Sequence, residues 1–207
     1  MFNMYLFMDC ETNGKITDYK ASFKEVEKFP RITQFAWELY NSDGKLFKSF
    51  QSLVKPDGWT IPTVEELTAK GEKNPNFFVE NNMSTERCEK EGRPIKPMLE
   101  QFLNELEGCK YLLAHNMNFD LPITASEMYR LGFQAKNKPQ KICTMQSTTD
   151  ICKLPSQYGF KWPSLQELHK FLFGCDFEGA HDASDDVTAM AKCFFELKRR
   201  NLLVITE

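Results

Sequence analysis

The segment that most constrains the fold is the uninterrupted apolar run near the start of the chain, from Tyr5 to Met8. A strand without polar side chains is expected to be covered on both faces of its sheet. The run ends abruptly, because Asp9 and Glu11 follow it with a single residue between them. Side chains two positions apart in a strand point to the same side. The sequence therefore predicts a central strand that ends in two neighbouring carboxylates.

Four more strands are predicted along the chain. Ile32 to Tyr40 and Leu46 to Val54 flank the turn Asn41–Gly44 and should form a hairpin. Tyr111 to Ala114 predicts a fourth strand, and the residues around Ile142 predict a fifth. Strands first, followed by an alternation of helix and strand, indicate an α/β sheet with helices packed on it.

Helices are indicated by capping residues and by apolar positions at helical spacing. Residues 55–94 form the least regular stretch, where a capping box at Thr63 predicts one short helix that Gly71 ends. The other predicted helices run from Ile95 to Leu106, from about Asn118 to Leu131, from Leu165 to Phe173 and from about Asp182 to Arg200.

Composition narrows the class of protein. A chain of 207 residues, 42% of them hydrophobic, suits a single domain over 1–207 with an irregular insertion at about 55–94. The net charge of −3 argues against a protein that coats nucleic acid without specificity. Seven scattered cysteines without a Cys-x-x-Cys pair favour reduced thiols and a cytoplasmic location. Trp37 and Trp162 are expected in the core and not as platforms for stacking bases.

A second acidic segment follows the fourth predicted strand. It is His115–Asp120, with the sequence His-Asn-Met-Asn-Phe-Asp, and it places Asp120 in the first turn of a helix. The helix dipole alone favours an acid there, so Asp120 by itself is weak evidence for a site. Its position after a strand strengthens the interpretation, because α/β sheets build their sites at the carboxyl ends of strands.

A third segment opens the last helix. It is His181–Asp186, with the sequence His-Asp-Ala-Ser-Asp-Asp. Positions five apart do not share a helix face, so His181 is expected in the preceding loop and Asp186 in the first turns. Asp182 and Asp185 compete for the same role. Asp186 is preferred because it directly precedes Val187, where the apolar stripe of the helix begins.

Carboxylates gathered from distant parts of a chain point to a hard divalent cation such as Mg²⁺, which takes oxygen ligands. Acids held side by side raise each other's pKa unless a cation lies between them. A histidine near such a site could deprotonate a water, because its ordinary pKa lies near neutrality. This combination indicates metal-assisted phosphodiester hydrolysis.

The three segments match, in order and without a gap, the patterns Asp-x-Glu-Thr, His-Asn-x-x-Phe-Asp and His-x-Ala-x-x-Asp. The chain therefore resembles the DEDDh exonucleases, the DnaQ-like 3′–5′ exonuclease family. The resemblance implies an RNase H-like α/β fold, with a mixed five-stranded sheet flanked by helices on both faces. It also implies removal of nucleotides from a 3′ end as nucleoside 5′-monophosphates, with two Mg²⁺ or Mn²⁺ ions.

The resemblance assigns a role to each matched acid and to the histidine. Asp9, Glu11 and Asp186 match direct metal ligands. Asp120 matches a fourth carboxylate, which often acts through water. His181 matches the general base.

Three further residues are expected to meet the substrate. Thr12 corresponds to a residue whose backbone contacts the terminal nucleotide, and Asn13 is expected to close over the same nucleotide. Asn116 lies in the second motif and is expected to line the site.

Several readings of the biology stay open. The expected substrate is nucleic acid with a free 3′ end, with single-stranded DNA favoured and an exoribonuclease that trims RNA as the alternative. A non-catalytic nucleic-acid-binding module on the same fold is an alternative of another class, but the complete set of acids and histidine argues against it. A free-standing enzyme is favoured over a proofreading polymerase subunit, because little sequence follows the last helix, and both DNA repair and proofreading stay open as pathways.

Overall fold

The computed structural model describes residues 4–203 and 205, and its centre is a five-stranded mixed sheet. Its spatial order is β3-β2-β1-β4-β5. The strands are β1 (Tyr5–Thr12), β2 (Ile32–Tyr40), β3 (Leu46–Leu53), β4 (Tyr111–Ala114) and β5 (Gln140–Cys143). The first three strands pair antiparallel, whereas β4 and β5 run parallel to β1. The carboxyl ends of β1, β4 and β5 therefore lie at one edge of the sheet.

Helices connect these strands and cover the sheet. In the first half of the chain they are α1 (Val64–Ala69), α2 (Phe77–Glu80), α3 (Thr85–Glu91) and α4 (Ile95–Glu107). In the second half they are α5 (Met117–Arg130), α6 (Thr144–Ser147), α7 (Thr149–Cys152), α8 (Leu165–Phe173) and α9 (Ala183–Arg199). A two-stranded hairpin, β6 (Pro155–Ser156) and β7 (Gly159–Phe160), lies between α7 and α8.

The alternation of side chains along β1 divides the core in two. Leu6, Met8 and Cys10 pack on one face of the sheet together with α4 and α5. Tyr5 and Phe7 pack on the other face together with α8 and α9. By the same alternation, the odd-numbered acids at the end of β1 belong to the face that α9 covers.

The predicted sheet, with its antiparallel start and helices on both faces, is confirmed, and the principal helices begin and end within a few residues of the predicted positions. The predicted capping box at Thr63 is present at the start of α1. The expected irregular stretch contains two further short helices, α2 and α3. The hydrophobic pattern indicated neither, and Ser84 caps the start of α3.

Of the two tryptophans expected in the core, one lies there and the other does not. Trp37 is completely buried, but Trp162 is 58% exposed, so its predicted place in the core is wrong. Trp162 follows the small hairpin in the connection to α8, outside both faces of the main sheet. Within the described part of the chain, no helix has the length and apolar character needed to cross a membrane.

Candidate active site

The first two acids lie at the carboxyl end of β1 and are partly buried. Asp9 pairs across the sheet with Ala36, and Glu11 pairs with Gln34. The pairing register with β2 shifts between Glu11 and Thr12, the last residue of the strand. The regular strand therefore fixes both carboxylates on one face, as the sequence predicted.

Asp120 reaches the same strand from α5. It is 3% exposed, and its Oδ1 accepts hydrogen bonds from the backbone N–H of Cys10 at 3.2 Å and from the Cys10 thiol at 3.3 Å. The turn into α5 depends on Asn116, whose φ of 96° is unusual for a residue with a side chain. This turn directs the first residues of the helix toward β1, so Asp120 lies beside the residue between Asp9 and Glu11.

The third segment contributes a loop histidine and a helical acid. His181 precedes α9, as predicted, and has a φ of 71°. Its backbone N–H donates to Asp186 Oδ2 at 3.1 Å. The neighbouring Asp185 is exposed and lies against Gly179, where a Cβ would come within 1.9 Å of the Asp185 Oδ2.

These elements bring the predicted residues together. One ligand atom each from Glu11, His181 and Asp186 lies within 4.8 Å of the other two. The pKa of Asp9 is raised by burial and by the charges of Asp120, Asp186 and Glu11, in that order, which places all four acids in one electrostatic site.

Burial, with added repulsion from neighbouring acids, raises the pKa of every carboxylate in this group. Burial, followed by repulsion from Asp186 and Asp120, raises the pKa of Glu11 to about 8. Burial raises the pKa of Asp120 to about 7, against the stabilising hydrogen bonds from Cys10. Burial also raises the pKa of Asp186 to about 6, although the N–H of His181 opposes the shift. The site thus holds its negative charge poorly without a cation.

Comparison with known proteins identifies the family. The sequence profile of the RNase T exonuclease family matches residues 6–194. This chain belongs to that exonuclease family. The resemblance inferred from the three motifs is therefore confirmed for the family as a whole, and all three motifs lie within the matched residues.

Individual relatives agree with the family. The 3′–5′ exonuclease DinG of Bacillus subtilis (strain 168) is 24% identical over 195 residues, which are 93% of this chain and 17% of DinG. A crystal structure of E. coli exonuclease I with a dT13 oligonucleotide superposes with a TM-score of 0.71 at 18% identity, over 97% of this chain and 42% of that one. A zinc-bound form of the E. coli exonuclease I–ssDNA complex has a TM-score of 0.69 at 18% identity and covers 97% and 41%.

These similarities confirm the predicted fold, since exonuclease I superposes on 97% of this chain. The chain spans about two fifths of the length of exonuclease I and 17% of DinG. The relatives therefore contain additional chain beyond the exonuclease domain that they share with this protein.

Gln34 is a residue beside the candidate site that the sequence analysis missed. This buried side chain of β2 accepts a hydrogen bond from the Ala183 N–H at 3.2 Å and donates to Asp182 Oδ2 at 2.8 Å. Asp182 also accepts the Ser184 N–H at 3.0 Å as the N-cap of α9. Gln34 therefore attaches the start of α9 to the strand position opposite Glu11. The available signal was an amide side chain in a strand whose residues are mostly apolar.

Two aromatic side chains near the acids, those of Phe77 and His115, contact the residues around the candidate site. The Phe77 ring of α2 meets the His181 ring edge-on, with centroids 5.3 Å apart. His115 Nε2 lies 3.0 Å from the Pro163 carbonyl, which can only accept, so Nε2 carries the proton. Its Nδ1 then accepts from the Thr144 hydroxyl at 2.9 Å. Burial lowers the pKa of His115 to about 4, so the ring is uncharged at neutral pH. Its role is to hold two hydrogen bonds, to Pro163 and Thr144.

The three residues predicted to meet the substrate have defined surroundings. The Thr12 hydroxyl donates to the Gly14 carbonyl at 2.8 Å, so the backbone of Thr12 is held in a tight turn after β1. Asn13 Nδ2 donates to the Thr60 carbonyl at 2.9 Å, and Asn13 Oδ1 accepts the Arg31 N–H at 2.9 Å. Asn116 is half-buried at the N-cap of α5. Thr12 is the last residue of β1 and Asn13 follows it, whereas Asn116 follows β4 in the turn that leads to Asp120.

Proposed function

We propose that this chain removes nucleotides one at a time from the 3′ end of single-stranded DNA, releasing nucleoside 5′-monophosphates. The observation that carries the proposal is the cluster in which ligand atoms of Glu11, His181 and Asp186 lie within 4.8 Å of one another, beside Asp9 and Asp120. Carboxylates with raised pKa values next to an exposed imidazole suit hydrolysis of a phosphodiester.

The donor set fits two divalent cations, Mg²⁺ or Mn²⁺. It is made of carboxylate oxygens, which these hard ions prefer, and it repels itself when no cation is bound. Asp9, Glu11 and Asp186 would be the direct ligands, with Asp120 as the fourth carboxylate. The bound cations would supply positive charge for the phosphate and lower the pKa of a water molecule.

His181 is proposed to take the proton of the attacking water. Its ring is close to the acids but exposed to solvent, so the proton can leave the site afterwards. Its orientation is restrained by the backbone hydrogen bond to Asp186 and by the edge of Phe77. Gln34 keeps the loop that carries His181 in register with β1.

Substrate polarity and class are also part of the proposal. The backbone after β1, around Thr12 and Asn13, would contact the terminal nucleotide and admit only a free 3′ end. DNA is favoured over RNA because the similar exonuclease I structures contain dT13 and dA16 oligonucleotides. We further propose that residues 1–207 act as one exonuclease domain. All seven cysteines are free thiols, consistent with the cytoplasm as its compartment.

The direct test uses labelled oligonucleotides whose two ends are blocked in turn, with Mg²⁺ or Mn²⁺ present. We expect mononucleotides from the first time point when the 3′ end is free, whether or not the 5′ end is blocked. A bulky 3′ block, or a circular strand, should prevent digestion. Early release of longer fragments from a circle would show internal cutting and overturn the proposed reaction.

The same assay separates the alternatives. A matched RNA strand degraded faster than DNA would make the protein an exoribonuclease. Binding of either strand without any product, in the presence of the metals, would favour the non-catalytic module.

A further inference from the structure

The small hairpin between α7 and α8 presents three large aromatic side chains to solvent. Tyr158 at its tip is 91% exposed, Phe160 on its second strand is 48% exposed and Trp162 is 58% exposed. The backbone N–H of Lys161 donates to the Leu154 carbonyl at 2.9 Å and continues the pairing of the hairpin. None of the three rings belongs to either core cluster. Grouped exposed aromatics of this kind mark a binding surface.

This aromatic hairpin is attached to the edge of the sheet that bears the acids. Directly after Trp162, the Pro163 carbonyl accepts the hydrogen bond from His115 Nε2. His115 in turn precedes the left-handed turn at Asn116 that leads to Asp120. Thr144, the other partner of His115, follows the carboxyl end of β5. The hairpin is therefore joined by hydrogen bonds to the loop that positions one of the four site carboxylates.

The net negative charge of the protein explains why an aromatic surface would help it to bind nucleic acid. The protein has a net charge of −3, and its site is acidic, so no overall basic field attracts a nucleic acid. Stacking of bases on aromatic rings does not depend on net charge and is worth roughly 1–3 kcal/mol per base. Bases in a duplex already stack on one another, so free rings favour a single strand.

We propose that the aromatic hairpin, residues 155–162, stacks bases of a single-stranded substrate upstream of the terminal nucleotide. The inference rests on the proposed function and deepens it, because it assigns the recognition of single strands to Tyr158, Phe160 and Trp162. Lys153 and Lys161 flank the rings, and Lys161 is paired with Glu167. The rings hold the strand, whereas the acids and His181 carry out the reaction.

Two substrates test the proposal separately from the reaction itself. One is a short oligothymidylate, and the other is the p-nitrophenyl ester of thymidine 5′-phosphate, which has no upstream base. Trp162→Ala should raise KM for the oligothymidylate on the order of tenfold, since that ratio corresponds to about 1.4 kcal/mol. Its kcat, and both constants for the ester, should stay at wild-type values. Trp162→Tyr should restore most of the affinity, because a ring is kept.

Phe47→Ala is the matched control. Phe47 is 57% exposed on β3, at the opposite edge of the sheet from β5, and its loss should change neither substrate's constants. Fluorescence gives a second readout, because Trp37 and Trp59 are buried and Trp162 is the exposed one of the three tryptophans. Oligothymidylate should quench the emission of a cleavage-deficient Asp120→Asn protein, and the matched duplex should not.

The outcomes are distinct. A triple variant combines Trp162→Ala with Tyr158→Ala and Phe160→Ala. Suppose that wild type hydrolyses both substrates, and that Trp162→Ala and the triple variant both keep the wild-type KM for oligothymidylate. The hairpin would then not be a stacking platform. If the rings instead join copies of the chain, sedimentation would show a wild-type oligomer that the triple variant loses, which also overturns the proposal. Failure of wild type on both substrates would refute the proposed function itself.

Discussion

Two buried carboxylates on the same helix have opposite surroundings. Asp120 and Glu127 lie seven residues apart on α5, which is two helical turns, and they are 3% and 1% exposed. Glu127 Oε1 lies 2.7 Å from Arg31 Nε and 3.2 Å from Arg130 Nη1. Asp120 faces Asp9 and Asp186, and in the described part of the chain no arginine or lysine forms an ion pair with it.

This difference in neighbouring charges indicates a structural role for Glu127 and a functional one for Asp120. The charge of Glu127 is compensated by the protein itself, and the pair ties α5 to the start of β2, where Glu127 Oε1 also accepts the Ile32 N–H at 3.3 Å. The acids around Asp120 leave their charge uncompensated, which costs stability. Such a cost is expected where a bound cation supplies the missing charge during function.

The largest effect is expected from Asp120→Asn, which removes the charge but keeps an oxygen that can accept from Cys10. Nearly all exonuclease activity should be lost, because a carboxylate of the cation site is gone. The melting temperature in EDTA should be no lower than that of wild type, since one source of repulsion has been removed. A large fall in that temperature would show that Asp120 is structural, as Glu127 is.

A neighbouring pair of acids provides the control for this loss. Asp186→Asn should be as inactive as Asp120→Asn. Asp185→Asn alters an adjacent exposed acid that lies against Gly179, and it should keep activity close to wild type. Equal losses in both variants would mean that negative charge near α9, and not a specific ligand, is what activity requires.

The next effect asks whether His181 belongs to the cation site or acts beside it. His181→Ala should slow turnover by roughly 10²–10⁴-fold, as expected for loss of a general base. Mn²⁺ affinity measured by calorimetry should change little. His169, a partly buried histidine of α8, is the control, and His169→Ala should leave the rate unchanged. Abolished Mn²⁺ binding in His181→Ala would make the histidine a ligand.

The opposite pattern is expected at Glu127. Glu127→Ala leaves Arg31 and Arg130 without their buried partner and should lower the free energy of unfolding by about 3 kcal/mol. Urea unfolding at neutral pH measures this, and the protein that remains folded should still digest DNA. Loss of activity without loss of stability would contradict the division between the two regions.

A smaller effect concerns pH. The stability of the metal-free folded protein should fall as the pH rises. The folded pKa values of Glu11, Asp120 and Asp186 are about 8, 7 and 6, above the ordinary values of these acids. The folded state therefore binds protons more tightly than the unfolded state, and this stabilisation is lost as pH rises from the ordinary values of about 4 through the folded values of 6 to 8. The melting temperature in EDTA should decline over that range, with a shallower decline in Asp120→Asn. An equal decline in the two proteins would count against the assignment.

The sheet and the principal helices were predictable because apolar periodicity and caps are local signals. The apolar run Tyr5–Met8 required a doubly covered strand, and Ser164 and Asp182 begin helices where their side chains cap them. The candidate site acids could be proposed from the sequence because each lies at the end of a strand or in the first turns of a helix, and because the three motifs occur in a fixed order.

Other features depend on contacts between distant parts of the chain. The Phe77–His181 contact joins α2 to a loop a hundred residues later, and no local pattern indicates it. The two hydrogen bonds of Gln34 reach α9 from β2, about 150 residues away in sequence. The sequence analysis placed Trp162 in the core because its side chain is largely apolar. The sequence alone does not show whether another element packs over that side chain.

The central claim is that the acids around Asp120 form a cation site, whereas Glu127 is neutralised by arginines. Calorimetric titration of Mn²⁺ into metal-free protein tests it most directly, with Asp9→Asn and Glu127→Gln measured alongside wild type. The account predicts binding by wild type, unchanged affinity in folded Glu127→Gln and a severe loss in Asp9→Asn. Absence of Mn²⁺ binding by folded wild type, or an equal loss in both variants, would contradict it.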